Sequence, residues 1–522
     1  MTYLRSSAAF MALMMTTALA AATGALAQGS ETLVVDNAFQ LKTADPARQF
    51  EPTASLVLHP VYQTLVTFEG SDLTKVVPSL AEVPTISEDG KAFTFVLKDG
   101  ATFSDGSPVT VDDVVFSLTR VRDLKGSPSF LMEGVTIAKG ATENEVVLTT
   151  EMPDPGLPYK LTNPSLGILN SDVLLENGST ATPEDGADAY LASTSLGSGP
   201  YVITKFDMAT EVVLTANENY WGEPPVFAQI VIRNVQSAAQ QMNVARDASQ
   251  IALDLRPDQV ESIADQVNVL SAAGADLAFM FANMNPEISE TTANADFREA
   301  VRYALDYEGI LKIVGQGAVQ PGSIIPSMFG GALTASQGPS RDLDRAREAL
   351  ARSGIENPTV GFSYSSDLTK NGVSFSDIAA KVQADLAEIG IIVEPRPAPV
   401  ATNTDSYRKG VLEMSVNWWG PDFPDPSNYL LFGPGKLVGL RAGWAEGSAP
   451  DLDALGARAA VATDPAERAK LYEEWQMMLN DIGPFTGLFQ PSITIASSKS
   501  LAPLAYNPMW TVDLSAVTLA AN

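Results

Sequence analysis

The chain has 522 residues, of which 62 are acidic and 33 are basic, so its formal net charge is −29 at pH 7. Such acidity argues strongly against binding to nucleic acid or to an anionic membrane surface, whose negative groups it would repel. With no cysteine and one histidine, the sequence excludes a cysteine nucleophile and a zinc site made of thiolates or several histidines.

The first 27 residues have the pattern of a secretory signal peptide. Arg5 supplies the positive end, the apolar run AAFMALMMTTALAAA is too short to span a bilayer, and residues 25–27 form a small-residue cleavage site. The mature chain is then expected to begin near Gln28, which is not a cysteine, so we predict no lipid anchor. We predict an exported protein, periplasmic in a Gram-negative source, with no stable membrane insertion.

The single histidine, His59, lies in the apolar stretch LVLHPVYQTLV. A Ser-His-Asp triad would have to use this residue, and we favour a packed or capping side chain instead. A pair of carboxylates could still hydrolyse a glycosidic bond, because sequence spacing does not exclude that chemistry. We therefore predict a protein that is not an enzyme and keep an exported carboxylate-based hydrolase as the alternative.

Strand and helix patterns alternate along the chain. Phe93, Phe95 and Leu97 have the two-residue period of a half-buried strand. Thr110 with Asp113 forms a capping box that opens a helix over TVDDVVFSLTRV. The stretch YVITKFDMATEVVLTANENYW is predicted to be a hairpin, and QIVIRNV to be a further strand.

Two later helices are predicted from amphipathic spacing and caps. The apolar positions of FSDIAAKVQADLAEIG share one helical face, and Gly390 ends that helix before the strand IIVEP. Asp464 caps a second helix with Pro465 at its first position. The alternation indicates an α/β architecture, and the length allows roughly three domain-sized units. Because no dinucleotide or phosphate loop is present, we predict no cofactor. Because the chain has no cysteine and one histidine, we also predict no bound metal.

The stretch WWGPDFPDPSNY, residues 418–429, combines two indoles, two carboxylates and three prolines. Prolines remove backbone donors and fix φ, so the stretch is predicted to be a rigid loop. Such a loop can hold the side chains of Trp418, Trp419, Asp422 and Asp425 for a ligand. The alternative is a surface turn whose tryptophans fold back into the core.

Several long stretches together resemble one protein family. They are VVPSLAEVPTISEDGKAFTFVLKDGATFSDGSPVTVDDVVFSLTRV, GSGPYVITKFDMATEVVLTANENYWGEPPVFAQIVIRNV, FREAVRYALDYEGILKIV, VQADLAEIGIIVEP and the proline-rich loop. In this order they resemble the family 5 extracellular solute-binding proteins of bacterial ABC importers, which include dipeptide-, oligopeptide- and nickel-binding members. The resemblance spans nearly the whole mature chain.

The resemblance implies the bilobed Venus flytrap fold of periplasmic binding proteins. Two mixed α/β lobes would be joined by hinge strands, with an extra subdomain inserted in the first lobe. We expect residues 28–65, 191–280 and 488–522 to form lobe I, residues 66–190 the inserted subdomain and residues 281–487 lobe II. The hinge is expected near LAFMFANMNP and GLFQPSITIAS, where movement would close the lobes on a ligand.

The family also implies a receptor that binds its solute between the lobes and hands it to the permease of an ABC importer. In peptide-binding members, the aspartate at the position of Asp422 receives the α-ammonium group of the ligand. Trp418 and Trp419 would add apolar area and a π face for a cation, with one indole in the cleft and the other in the lobe. We expect a monomer whose partners are the ligand and the permease.

Two further residues complete the predicted site. Asn417 immediately precedes the tryptophans, and Asp425 follows Asp422 in the same loop. Asp425 is a candidate ligand residue, although we favour a side chain that holds the turn with Pro426 and Asn428.

The chain departs from dipeptide-binding members at one position. Those members carry an arginine for the ligand's carboxylate in the segment after GFSYSSD, where this chain has only Lys370. A lysine pairs as a point charge without the two-pronged geometry of arginine, and Arg441 in GLRAGW is the other candidate clamp. We therefore predict a peptide or a related amine-bearing solute, with a metal chelate, an opine or a sugar as alternatives. Bare nickel is disfavoured, because His59 alone cannot supply its imidazole ligands.

Overall fold

The structure is a computed structural model that describes residues 32–192, 194–370 and 372–521. The predicted signal peptide, residues 1–27, lies outside the described residues. The strands are β1 Thr32–Asn37, β2 Val66–Glu69, β3 Asp72–Pro78, β4 Thr85–Ile86, β5 Ala92–Val96, β6 Thr136–Lys139, β7 Glu145–Thr149, β8 Tyr201–Asp207, β9 Glu211–Ala216, β10 Gln229–Asn234, β11 Ile251–Ala252, β12 Val267–Ala273, β13 Leu277–Ala282, β14 Thr359–Ser365, β15 Thr369–Lys370, β16 Val373–Ser374, β17 Ile392–Ala398, β18 Met414–Trp419, β19 Phe485–Phe489 and β20 Ser492–Ser498. The helices are α1 Pro52–Leu58, α2 Val111–Asp123, α3 Leu157–Lys160, α4 Ser171–Glu176, α5 Asp188–Leu191, α6 Ser237–Ala245, α7 Pro257–Glu261, α8 Glu290–Ala293, α9 Ala295–Ala304, α10 Tyr307–Val314, α11 Leu343–Ser353, α12 Phe375–Ala387, α13 Val400–Arg408, α14 Leu437–Arg441, α15 Pro450–Val461 and α16 Pro465–Ile482.

A seven-stranded mixed sheet brings together early and late parts of the chain. Its order is β12-β20-β11-β1-β10-β9-β8, and β1 runs parallel to both β10 and β11. β8 and β9 form the predicted hairpin, in which Tyr201 pairs with Ala216, and β10 is the further strand predicted from QIVIRNV. The sheet therefore gathers segments that are far apart in sequence around one apolar core.

A second sheet, of five strands, leads into the proline-rich loop. Its order is β17-β14-β18-β13-β19, with β18 antiparallel to β13 and parallel to β14. Every residue of β13 is buried. Ala278 and Met280 enter one apolar cluster, whereas Phe279 and Phe281 enter another. Both faces of this sheet are thus covered, as in the α/β layers that the sequence predicts.

A four-stranded sheet, of order β4-β5-β7-β6, lies within residues 85–149. In β5, Phe93 and Phe95 are fully buried, which confirms the predicted half-buried strand. The capping box of α2 is also confirmed, because the backbone N–H of Thr110 donates to Asp113 at 2.8 Å and the Thr110 hydroxyl accepts from the backbone N–H of Asp113 at 3.4 Å.

The two later predicted helices are present. α12 ends at Ala387, and Gly390 follows with φ at +88°, a left-handed value that favours glycine. Asp464 caps α16 by accepting from the backbone N–H of Glu467 at 2.8 Å. Within the described ranges, no helix combines the length and the apolar character needed to cross a membrane.

The chain crosses between the seven-stranded and five-stranded sheets a few residues away from the lobe boundaries that were predicted at residues 280 and 487. Positions 280 and 487 fall inside β13 and β19, both of which belong to the five-stranded sheet. The chain passes between sheets at residues 274–276 and 490–491 instead, and these two crossings are bonded to each other. The backbone N–H of Gly274 donates to the carbonyl of Pro491 at 2.8 Å, and the side chain of Gln490 donates to the carbonyl of Gly274 at 2.8 Å. The crossings lie directly before the predicted hinge run LAFMFANMNP and inside GLFQPSITIAS, and the lobe boundaries themselves stay predictions.

Candidate functional site

The two tryptophans at the start of the predicted loop are instead the last residues of β18, so the loop itself begins at Gly420. In the antiparallel register with β13, Trp418 lies opposite Ala278. Successive side chains of a strand point to opposite faces, so the two indoles diverge. Trp418 packs edge-on against Phe489 with ring centroids 6.3 Å apart, and Trp419 packs edge-on against Phe432 with centroids 5.5 Å apart. The two indoles thus lie on opposite faces of the sheet, as an extended segment predicts, and the placement of one of them in the cleft stays a prediction.

Trp418 is the indole that borders charged groups. Its Nε1 donates to Oδ2 of Asp276 at 3.1 Å, and Nζ of Lys370 lies 5.8 Å from the centroid of its ring. The Nε1 of Trp419 is buried, and among the described residues none accepts a hydrogen bond from it. Of the two indoles, Trp418 therefore has the surroundings that recognition of a polar ligand needs.

Asp422 is held in the loop by one neighbour. Asn428 donates from Nδ2 to Oδ2 of Asp422 at 2.9 Å, and its Oδ1 accepts from the backbone N–H of Asp422 at 3.1 Å. Burial raises the pKa of Asp422 above the ordinary value of 3.8, although the hydrogen bond from Asn428 opposes that rise. The ionised carboxylate is thus poorly solvated, and an ammonium group beside it would supply stabilisation that water does not.

A second carboxylate, Asp276, lies in the same region and was not singled out by the sequence. Burial raises the pKa of Asp276, although the charge of Lys370 and the hydrogen bond from Trp418 oppose the rise. The hydroxyl of Tyr429 is buried, and its pKa is well above 10.0 because of that burial and the negative charges of Asp276 and Asp422. Both carboxylates therefore act on one phenol. We use the name carboxylate cluster for Asp276, Trp418, Asp422, Asn428 and Tyr429.

Asp425 is engaged within the protein. Its Oδ1 accepts from the backbone N–H and the hydroxyl of Ser427 at 2.9 and 2.6 Å. Its two oxygens also accept from the guanidinium of Arg468, each at 2.7 Å. These bonds agree with the favoured turn-holding role. The side-chain partners differ from the predicted Pro426 and Asn428, because the amide of Asn428 is used elsewhere in the loop.

Two other predicted residues make contacts away from the carboxylate cluster. Arg441 places its guanidinium 5.1 Å from the ring centroid of Tyr407. Burial raises the pKa of Tyr407 to about 12, and the charge of Arg441 opposes that rise. Asn417 donates from Nδ2 to the hydroxyl of Ser415 at 3.1 Å within β18. Of the two candidate anion clamps, Lys370 is the one that the structure brings to the cluster.

The loop also contacts the part of the chain predicted to form the inserted subdomain. Nδ2 of Asn163 donates to the backbone carbonyl of Asp422 at 3.2 Å. Phe423 packs into the apolar cluster that contains Phe93, and Nζ of Lys160 lies 5.3 Å from the centroid of the Phe423 ring. The loop thereby joins the five-stranded sheet to the region of the four-stranded sheet.

Two cavities lie near the loop and the chain ends. One, of about 590 Å³, is lined by Asp425 and by residues on either side of it. The other, of about 270 Å³, is bordered by His59 and Asp513. Neither wall includes Asp422 or Trp418. Both cavities are therefore distinct from the carboxylate cluster.

The single histidine is packed, as predicted. The ring of His59 stacks on Trp510 with centroids 3.8 Å apart, and its Nε2 lies 3.5 Å from Oδ2 of Asp513. The hydroxyl of Ser515 donates to Oδ1 of Asp513 at 2.5 Å. Burial opposes ionisation of Asp513, yet His59 and Ser515 lower its pKa to about 2. Because the serine bonds to the carboxylate rather than to the imidazole, these residues lack the order of a hydrolytic triad.

Comparison with known proteins gives one consistent result. The model of a family described as "Bacterial extracellular solute-binding proteins, family 5 Middle" matches residues 75–435. The chain is 28% identical over 491 residues to the "Probable D,D-dipeptide-binding periplasmic protein DdpA" of Escherichia coli (strain K12), covering 92% of each chain. It is 26% identical over 524 residues to "Di/tripeptide-binding protein 2" of Pseudomonas aeruginosa (strain UCBPP-PA14), covering 96% of this chain and 97% of that protein. The structure of HbpA2 from Haemophilus parasuis superposes with a TM-score of 0.81 at 22% identity, covering 94% of this chain and 100% of that chain.

Proposed function

We propose a function from one premise: the chain belongs to the family 5 bacterial extracellular solute-binding proteins, whose bilobed α/β fold it shares. In this proposal it binds a peptide or a related amine-bearing solute between its lobes and delivers it to the permease of an ABC importer. It acts as a receptor without turnover. The names of two relatives, one for D,D-dipeptides and one for di- and tripeptides, support a peptide over a metal chelate, an opine or a sugar.

The observation that carries the proposal is the state of Asp422. Among the described residues, one side-chain hydrogen bond reaches its carboxylate, from Asn428, and burial raises its pKa. A partly buried carboxylate with so little compensation favours a bound cation, because the pair restores what each ion loses on leaving water. Trp418, with Lys370 and Asp276 beside it, offers an apolar and π surface next to groups of both charges. A zwitterionic peptide presents the matching pair of charges.

Closure of the lobes is the proposed signal to the permease. The crossings at residues 274–276 and 490–491 are the proposed hinge, since few residues there would need to change φ and ψ. The bond from Asn163 to the carbonyl of Asp422, present in this structure, would be kept in the closed arrangement and broken on opening, so the loop that receives the ligand would also report its presence. A monomer in the periplasm, released from a signal peptide at residues 1–27, completes the proposal.

The experiment that tests this function starts with native purification and mass spectrometry of whatever co-purifies. We expect a peptide in one-to-one ratio with the protein. After ligand removal, tripeptides that have a free N-terminus should raise the melting temperature of the protein in a thermal-shift screen. The matched N-acetylated tripeptides should not raise it, because they lack the ammonium group.

Two results would contradict the proposal. Equal thermal shifts for free and acetylated peptides would show that the protein does not recognise the amine of the ligand. Release of product from an oligosaccharide library, abolished by carboxylate replacement while binding persists, would favour the hydrolase alternative.

A further inference from the structure

The cavity of about 590 Å³ lies between two parts of the chain that are far apart in sequence. One wall comes from residues 73–93 and 155–159, around the four-stranded sheet. The other comes from residues 328–330, 424–426 and 463–472, and includes the start of α16. Its volume falls within the range of roughly 300 to 1,000 Å³ that is typical of small-molecule sites. The cavity therefore has the size of a small-molecule site, although the proposed peptide site lies elsewhere.

The walls are mainly apolar and rigid. They include Pro84, Pro155, Pro158, Pro424 and Pro465, whose rings offer C–H surface and no backbone N–H. Val83 and Ile86, also in the wall, are 49% and 48% exposed. Two large apolar side chains left half-exposed beside an apolar cavity are the kind of surface that a ligand covers.

The charges at the cavity cancel in pairs. Asp425 and Arg468 form a two-pronged ion pair in the wall, so neither needs a charged ligand. Lys75 and Glu88, of opposite sign, are both exposed residues of the wall. Because Lys75 and Glu88 stay in water, pairing with either would give a charged molecule little in return for the hydration that it loses in the cavity. The wall chemistry thus selects against ions and favours a neutral apolar molecule.

We propose that this cavity is a second ligand site, for a neutral molecule that carries an aromatic or branched apolar group, and that it fills independently of Asp422. A ring held among prolines would be removed from water on both faces, which is the main driving force available here. A molecule in the cavity would touch both walls and would therefore favour the arrangement in which they lie together. The proposal stands apart from the peptide function, because none of its walls contains a member of the carboxylate cluster.

N-phenyl-1-naphthylamine tests the proposal, because it is neutral and aromatic and its fluorescence rises in apolar surroundings. We expect saturable binding to the full-length mature protein with one probe per chain. The double variant Val83→Ser/Ile86→Ser should bind at least tenfold more weakly, since it removes two exposed apolar wall residues without touching the core. Gly330→Leu should weaken binding similarly, because a Cβ added at Gly330, a wall residue, meets open space and would obstruct the cavity.

Two variants serve as controls. Val226→Ser changes a valine that is 39% exposed and is not part of the wall, so it should leave probe binding unchanged. Asp422→Asn should also leave it unchanged. Absence of saturable binding, or equal affinity in the cavity variants, would overturn the second site. Loss of probe binding in Asp422→Asn would place the probe at the peptide site and would overturn it as well, whereas failure of the peptide screen alone would not.

Discussion

The indole nitrogen of Trp418 donates to Oδ2 of Asp276 at 3.1 Å, across 142 positions of sequence. The bond connects the residue immediately before β13 to the end of β18, where the proline-rich loop begins. It also fixes the edge of the indole, while the ammonium of Lys370 lies 5.8 Å from the centroid of its ring. The pair therefore positions the proposed binding surface before any ligand arrives.

This pair predicts a pH-dependent signal from Trp418. Burial raises the pKa of Asp276 above 3.8, so protonation should remove the charged acceptor of the indole at a pH higher than for an exposed aspartate. The tryptophan fluorescence of the ligand-free protein should show a transition with a midpoint above pH 3.8. The transition should vanish in Asp276→Asn and persist in Asp344→Asn, whose side chain is 94% exposed. A midpoint at or below 3.8 would contradict the buried state of Asp276.

Replacement of Asp422 should separate binding from stability. In Asp422→Asn, calorimetric affinity for a free tripeptide should fall at least tenfold, which corresponds to about 1.4 kcal/mol. The asparagine oxygen can still accept from Asn428, so the loop should keep its shape. Affinity for the N-acetylated tripeptide should not change. An unchanged affinity for the free tripeptide would remove Asp422 from the site.

The same variant has a pH signature in the ligand-free protein. The folded-state pKa of Asp422 is raised, so ionisation at neutral pH lowers the free energy of unfolding relative to a group left in water. Asp422→Asn should therefore be at least as stable as the parent at pH 7 in urea titrations. The difference should shrink as the pH falls through the raised folded value, because the folded state then takes up a proton, and should vanish below the unfolded value near 4, where the aspartate is neutral in both states.

Lys370 should decide whether a free carboxylate on the ligand matters. Its ammonium lies beside Trp418 and acts on Asp276, so it is placed to pair with the carboxylate of a peptide whose amine is at Asp422. The parent should bind trialanine more tightly than trialanine amide. Lys370→Met should lose most of that preference. The control Lys409→Met should keep it, because the side chain of Lys409, at the C-terminal end of α13, is 64% exposed. If Lys370→Met kept the preference for trialanine, a group other than Lys370 would have to bind the carboxylate of the ligand.

Local features of this fold could be predicted because they depend on neighbouring residues. The capping box of α2, the glycine after α12 and the divergence of Trp418 and Trp419 each follow from spacing within a few positions. The rigid loop with Asp422 was found for the same reason. Asp276 was not, since its link to Trp418 spans 142 positions and nothing in its own surroundings marks it.

The predicted hinge shows the same limit. The run LAFMFA begins one of the two segments where the hinge is expected, and it is apolar and leads towards a proline. In the structure it is β13, whose residues are all buried, so it lacks the two-residue alternation that would have marked it as a strand. The partner of Asp425 was missed similarly, because Arg468 lies 43 positions away.

The ion pair of Asp425 and Arg468 should contribute to stability rather than to recognition. The Asp425 side chain is 2% exposed and that of Arg468 is 12% exposed, so removal of the arginine would leave a buried carboxylate without its cation. Arg468→Met should lower the free energy of unfolding by about 3 to 5 kcal/mol, measured by urea denaturation. Asp405→Asn breaks the pair with Lys409, in which both side chains are more than 60% exposed, and should cost at most about 0.5 kcal/mol. Under conditions where Arg468→Met is folded, its affinity for the free tripeptide should match the parent's, because the pair lies outside the carboxylate cluster. A variant that kept its stability but lost the tripeptide would make Asp425 a ligand residue after all.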